Sequence, residues 1–351
     1  MRLFNSLSKK LEELRPSKAG EIGLYTCGPT LYDRQHIGNL RTFMLADTLR
    51  RVLTAEGYQV KSVMNVTDVE DKIIAKLAGR SLEEFTEGFF VALKADLAAL
   101  GIEEPIWIRA TEKRSIVKMG ELIAKIMERG YAYERDGSIY LSIEKYTADF
   151  PYGLFQKIDP AKLQATGRVD ADEYDKDSPQ DFALWKAKKA GEPSWTISVG
   201  GETYEGRPGW HIECSAMTEL ELGEEFDIHL GGVDLQFPHH ENEVAQSRAA
   251  HGKLLARYWL HGEMLFVEGQ KMSKSLGNLV TLDEIREKGY DPLDLRYLFL
   301  QAHYRSKQNF TWEALRGAAA LSVLAHVEDL VARGLVATDG PPTLEAEYRL
   351  A

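Results

Sequence analysis

Apolar positions along the chain change period several times. Residues 22–27 (Ile-Gly-Leu-Tyr-Thr-Cys) are a nearly uninterrupted apolar run and predict a short buried strand, broken by Gly28-Pro29. From Gly38 to Glu56 the spacing is helical. Leu45, Leu49, Val52 and Leu53 fall at i, i+4, i+7 and i+8 and predict one apolar face, and Gly57 ends the helix. Residues 59–65 predict a second strand. Strand, helix, strand in this order predicts a parallel α/β unit. Between about 110 and 205 the pattern loses its regularity, and glycines, prolines and charges interrupt it. This stretch reads as an insertion between two halves of a sheet. Strand signals return at 226–230 and 258–267. After Thr311 the chain turns helical and rich in alanine, leucine and valine. Pro341-Pro342 interrupts it, and a further helical segment is expected near the last residue.

Composition narrows the class. With 44% hydrophobic and 28% charged residues among 351, the chain reads as an ordinary globular protein of two or three domains. No apolar run is long enough to span a bilayer, and residues 1–5 lack the apolar core of a signal peptide. The expected location is therefore the cytoplasm. A formal net charge of −11 excludes a general nucleic-acid coat protein. It leaves room for local phosphate-binding patches, of which Arg248/His251/Lys253/Arg257 and Arg305/Lys307/Arg316 are candidates. Two cysteines, Cys27 and Cys214, make no disulfide framework.

Two segments carry phosphate chemistry. His36-Ile37-Gly38-Asn39 lies between the first strand and the first helix, where an imidazole and free helix N–H groups can meet phosphate oxygens. Gly38 leaves room for a flat base against the backbone. Far downstream, Lys271-Met272-Ser273-Lys274-Ser275 follows Gly269 and can place two ammonium groups on a triphosphate. A third constellation is metal-like. If a helix starts after Pro238, His239 and Glu243 share a face. With Cys27 and Cys214 they make a donor set suited to tetrahedral zinc. No CxxC spacing supports this, and two buried thiols remain the alternative. His240-Glu241 does not begin a zinc-protease motif, because position 244 is Val244.

The two phosphate segments resemble the HIGH and KMSKS signatures of class I aminoacyl-tRNA synthetases, with Asn39 in place of the last histidine. The 26–30 context, 65–72, 182–186, 209–217, 231–243 and 303–306 resemble the cysteinyl-tRNA synthetases, and the resemblance spans residues 1 to about 315. It implies an α/β fold with a Rossmann-type parallel sheet, an inserted connective domain and the start of a helical bundle. The implied domains are 1–110 and 206–250 (the two catalytic halves), 111–205 (insertion), 251–310 (the KMSKS-bearing stem-contact region) and 311–351 (bundle start, with the anticodon-binding domain absent). It further implies one zinc per chain on Cys27, Cys214, His239 and Glu243, and a cysteine pocket lined by Thr67 and Trp210. His36, Asn39, Lys271 and Lys274 are the implied catalytic residues on ATP, with Gly38 and Asp234 completing its site. The expected reaction joins L-cysteine to ATP, with Mg2+, and then to tRNA(Cys), with no membrane partner and a monomeric chain. A mycothiol-type ligase joining cysteine to an amino sugar shares this machinery, and a non-catalytic cysteine-binding paralogue is the rival of another class.

Overall fold

The computed structural model describes residues 1–156, 180–273, 276–344, 346 and 349–350. Two compact units emerge. One comprises Met1–Arg34, Ala46–Ala92 and Pro105–His261, the other Gln35–Leu45, Leu93–Glu104 and Gly262–Ala351.

The first unit is built on a five-stranded sheet. β1 (Glu21–Thr26) is joined by α1 (Ile37–Ala55) to β2 (Gln59–Val66), and the short α2 (Asp71–Ile74) precedes β3 (Ile106–Arg109). Next comes α3 (Lys113–Glu128), then five strands of a second sheet: β4 (Ala132–Arg135), β5 (Ser138–Leu141), β6 (Phe182–Ala187), β7 (Trp195–Val199) and β8 (Glu202–Pro208). α4 (Trp210–Leu222), β9 (Phe226–Gly232), α5 (His239–His251) and β10 (Ala256–Gly262) follow. The first sheet has the order β10-β9-β1-β2-β3, and β9, β1, β2 and β3 run parallel, with Leu24 opposite both Ile228 and Ser62. Successive residues Leu24 and Tyr25 in β1, and Val63 and Met64 in β2, are buried, as a sheet covered on both faces requires. The second sheet, β4-β5-β6-β8-β7, is antiparallel. α3 packs on β7 through Gly120, where a Cβ would stand 3.1 Å from that of Ile197.

The strand–helix–strand reading holds. Gly57 takes a positive φ of 92° and donates to Thr54 O, stopping α1. Leu49 and Leu53 are buried, but Val52 is 41% exposed. It sits about 100° around the helix from Leu53, and Leu40, Phe43, Met44 and Ala46 carry the buried face instead.

In the second unit, β11 (Leu265–Val267) pairs antiparallel with β12 (Gln270–Lys271) and parallel with β13 (Gln308–Phe310). The single strand expected over 258–267 is thus two, β10 and β11. Glu263 breaks it, because its carbonyl accepts from the Arg41 guanidinium and its N–H donates to Tyr304 O at 2.8 Å. α6 (Trp312–Ala332) starts where expected, with the Thr311 hydroxyl accepting from Ala314 N. No new helix follows Pro342 among the described residues; Arg349–Leu350 pairs as a strand with Val336–Ala337. No helix among the described residues is long and apolar enough to cross a membrane.

Candidate active site

β1 has its chain neighbour β2 on one side and the distant β9 on the other. The carboxyl ends of β1 and β9 therefore flank a topological switch point, the place where open α/β sheets bind ligands. Cys27 extends β1 there, its N–H bonded to Leu230 O at 3.0 Å. Residue 28 has to be glycine, because a Cβ would fall onto Asn65 O. α4 delivers Cys214 as its fifth residue, at the start of the second turn. α4 starts at Gly209, a position with no room for a side chain against the Ala183 carbonyl. α5 starts after Pro238 and places His239 and Glu243 one turn apart.

These four side chains converge. One donor atom from each of Cys27, Cys214, His239 and Glu243 lies within 4.8 Å of all the others, and all four residues are buried. His239 Nε2 stands 3.3 Å from Cys214 Sγ and 3.1 Å from Glu243 Oε1, and Cys27 Sγ is 4.0 Å from that oxygen. Metal–ligand bonds of about 2.0–2.3 Å in a tetrahedron put donors roughly 3.3–3.8 Å apart. The cluster has the dimensions and the donor chemistry to hold such an ion. A second set, Cys27, His229, His240 and Glu243, overlaps it. The first set fits better, because it uses both thiols and leaves the other two histidines natural supporting roles. His229 Nε2 engages the far carboxylate oxygen, Glu243 Oε2, at 2.8 Å. His240 Nε2 touches Cys27 Sγ at 3.3 Å, while its Nδ1 meets His261 Nε2 at 2.7 Å.

Burial governs protonation here. It raises the Cys27 thiol well above its ordinary range and the Glu243 carboxyl to about 8, and it lowers the His239 imidazole to about 3. Without a cation, the donors are held neutral, with protons on the thiol and the carboxyl. A divalent ion displaces those protons.

Around the cluster, the Trp210 ring lies 4.5 Å from the His239 ring at 37° and 5.0 Å from that of His211. Thr67, 2% exposed, donates from its hydroxyl to Glu213 Oε2 at 2.9 Å. It does not cap the following helix; Glu70 does, and Asp68 instead accepts from Thr111 N and Oγ1. Asp234 is exposed in the turn after β9.

The two phosphate-type segments meet in the second unit. His36 bridges Thr281, and Ile37 N donates to Val280 O at 2.8 Å. Asn39 N contacts His36 Nδ1 at 3.3 Å, and its side-chain oxygen is buried without a hydrogen-bond partner. A Cβ on Gly38 would collide with the Met272 methyl group, so the first segment lies directly under the second. Lys271 is exposed at the end of β12, and Asn278 ties its carbonyl (3.1 Å) to Ser273 N (2.9 Å). Lys274 lies outside the described residues. Of the two candidate basic patches, the first is largely neutralised. His251 meets Glu219 at 2.9 Å, and Lys253 meets Glu224 at 2.9 Å. Arg305, Lys307 and Arg316 are exposed.

A family model described as "tRNA synthetases class I (C) catalytic domain" matches residues 13–320. The chain is 48% identical over 323 residues to the cysteine–tRNA ligase of Koribacter versatilis, covering 91% of this chain and 63% of that protein. It is 47% identical over 315 residues to that of Methanosarcina mazei, covering 89% and 65%. The chain thus spans just under two thirds of the length of these curated relatives. Among solved structures, Mycobacterium tuberculosis methionyl-tRNA synthetase in complex with methionyl-adenylate is similar with a TM-score of 0.65 at 16% identity, covering 90% of this chain and 71% of that one. At this identity the likeness speaks for the fold.

Proposed function

Because the chain belongs to the family of class I (C) tRNA synthetase catalytic domains, we propose that it acts as the catalytic portion of a cysteine–tRNA ligase. It activates L-cysteine with ATP, releasing pyrophosphate, and passes the cysteinyl group to the terminal ribose of tRNA(Cys). The observation that carries this reading is the convergence of Cys27, Cys214, His239 and Glu243 at the switch point of the sheet. One zinc ion per chain is the resident metal, and when bound it supplies a soft acceptor that takes a thiolate in preference to a hydroxyl. Cys27, Cys214, His239 and Glu243 hold it, and Trp210 packs beside His239. Thr67, its hydroxyl committed to Glu213, lines the cysteine pocket.

His36 and Asn39, at the start of α1, meet the ATP phosphates together with Lys271 and Lys274. Gly38 gives the base room, and Asp234 serves the ribose. Mg2+ accompanies the nucleotide. Catalysis is then chiefly positioning and charge stabilisation at the α-phosphate. Residues 1–110 and 206–250 form the catalytic halves, 111–205 the insertion, 251–310 the stem-contact region and 311–351 the first part of a helical bundle. The protein works in the cytoplasm as a monomer.

The test is cysteine-dependent pyrophosphate exchange run beside charging of tRNA(Cys). Both should proceed. Exchange with transfer only to an amino sugar would replace this reading by the mycothiol-type ligase. Absence of exchange would leave a binding protein. Lys274→Ala should slow single-turnover adenylate formation by roughly 10²–10³, the usual loss for one preorganised charge stabiliser, with cysteine affinity unchanged. An unaltered rate would remove Lys274 from the site.

A further inference from the structure

α5 carries two of the four proposed ligands, yet it begins without a side-chain cap. A helix start leaves its first N–H groups unpaired, and its first residue is the one most easily displaced. That residue is His239. Glu241 occupies the third helical position, from which a glutamate ordinarily folds back onto the N-cap N–H. Here the N-cap is Pro238, which has no N–H to offer. The Glu241 carboxylate turns outward instead. It accepts from Gly153 N at 2.8 Å and Phe155 N at 3.1 Å. At 1% exposure these charge-assisted bonds are shielded from water. Next to it, Asn242 Oδ1 accepts from the Tyr152 hydroxyl at 2.6 Å. The Phe155 ring then packs edge-on against Trp259 at 5.2 Å and His261 at 5.5 Å, and stands 6.3 Å from His240. Residues 152–155 are therefore fastened to the start of α5 and wall the histidines behind Cys27.

We propose that Glu241 is a positioning residue for the metal centre. By clamping residues 152–155 to the uncapped first turn of α5 it holds His239 in place, so this segment sets how long the metal stays bound. This rests on the reading of the Cys27/Cys214/His239/Glu243 cluster as a zinc site. Glu241→Gln is nearly isosteric but turns one of two acceptor oxygens into an amide that faces an N–H. Zinc-loaded wild type and variant are mixed with an excess of a chromogenic chelator, and zinc release is followed in time. The variant should release zinc about 10–100-fold faster, the range for losing a group that supports a ligand from behind. Its KM for cysteine should rise while its KM for ATP stays at the wild-type value, a split that general loosening of the fold would not give. If Glu241→Gln does not fold, Tyr152→Phe decides, with a smaller acceleration of about 2–10-fold expected from losing one hydrogen bond. A wild-type release rate in the folded variant overturns the clamp alone. A wild-type protein that carries no zinc overturns the clamp together with the metal reading.

Discussion

Serine should be activated at least about 10⁴-fold less efficiently than cysteine, measured as kcat/KM in pyrophosphate exchange, the level reached when a polar site loses its intended partner. The two amino acids differ by one atom. A pocket that reads shape alone separates such isosteres by only about 10²-fold, so the remainder needs a chemical test of the side chain. The buried cluster provides one. Cys27 and Cys214 contribute soft sulfur donors, and His239 and Glu243 complete a set dimensioned for a tetrahedral ion. Such a centre favours a thiol that can ionise over a hydroxyl that does not at neutral pH. Comparable kcat/KM values for the two substrates would remove the metal from the selection step.

Cys214→Ala should abolish stoichiometric zinc and, with it, cysteine-dependent exchange. The same metal analysis separates the two overlapping donor sets. In the first set Cys214 is a ligand, while His229 and His240 stand behind Glu243 and Cys27. His229→Ala and His240→Ala should then weaken zinc binding by about 10–100-fold without eliminating it. Full zinc in Cys214→Ala with none in His240→Ala would transfer the site to Cys27, His229, His240 and Glu243. Burial holds Glu243 up at about 8 and His239 down at about 3 in the metal-free chain. A purified apo form should accordingly release protons as zinc is added at neutral pH.

The central βαβ unit was legible because its apolar periods are strong and Gly57 marks a clean stop. The helix carrying His239 and Glu243 was legible from Pro238. The second sheet was not, because β5 and β6 pair across a wide gap in sequence and no local pattern encodes that partner. The proposed metal ligands came from family resemblance rather than spacing, since a strand end and two separate helices supply them. His229 and His261 escaped notice for a related reason. Each sits in a strand that is buried almost throughout, so nothing in the local pattern sets it apart, and only tertiary packing brings it beside the cluster. The partner of Thr67 was hidden in the same way: Glu213, from α4, claims its hydroxyl across 146 residues of chain. The basic character of the 248–257 segment failed similarly, since Glu219 and Glu224 neutralise it from the end of the preceding helix and the turn after it.

The place of β1 in its sheet has a consequence during synthesis. One of its edges is matched by β2 soon after both leave the ribosome, but the other must wait for β9, about 200 residues later. At roughly 5–20 residues per second, that edge stays open for about 10–40 s. Throughout that interval a nascent chain presents the unpaired N–H and C=O groups of an apolar strand, the template on which strands from neighbouring chains can add. The same late partner that completes the switch point therefore makes the half-made protein most vulnerable to association with its own copies on a polysome.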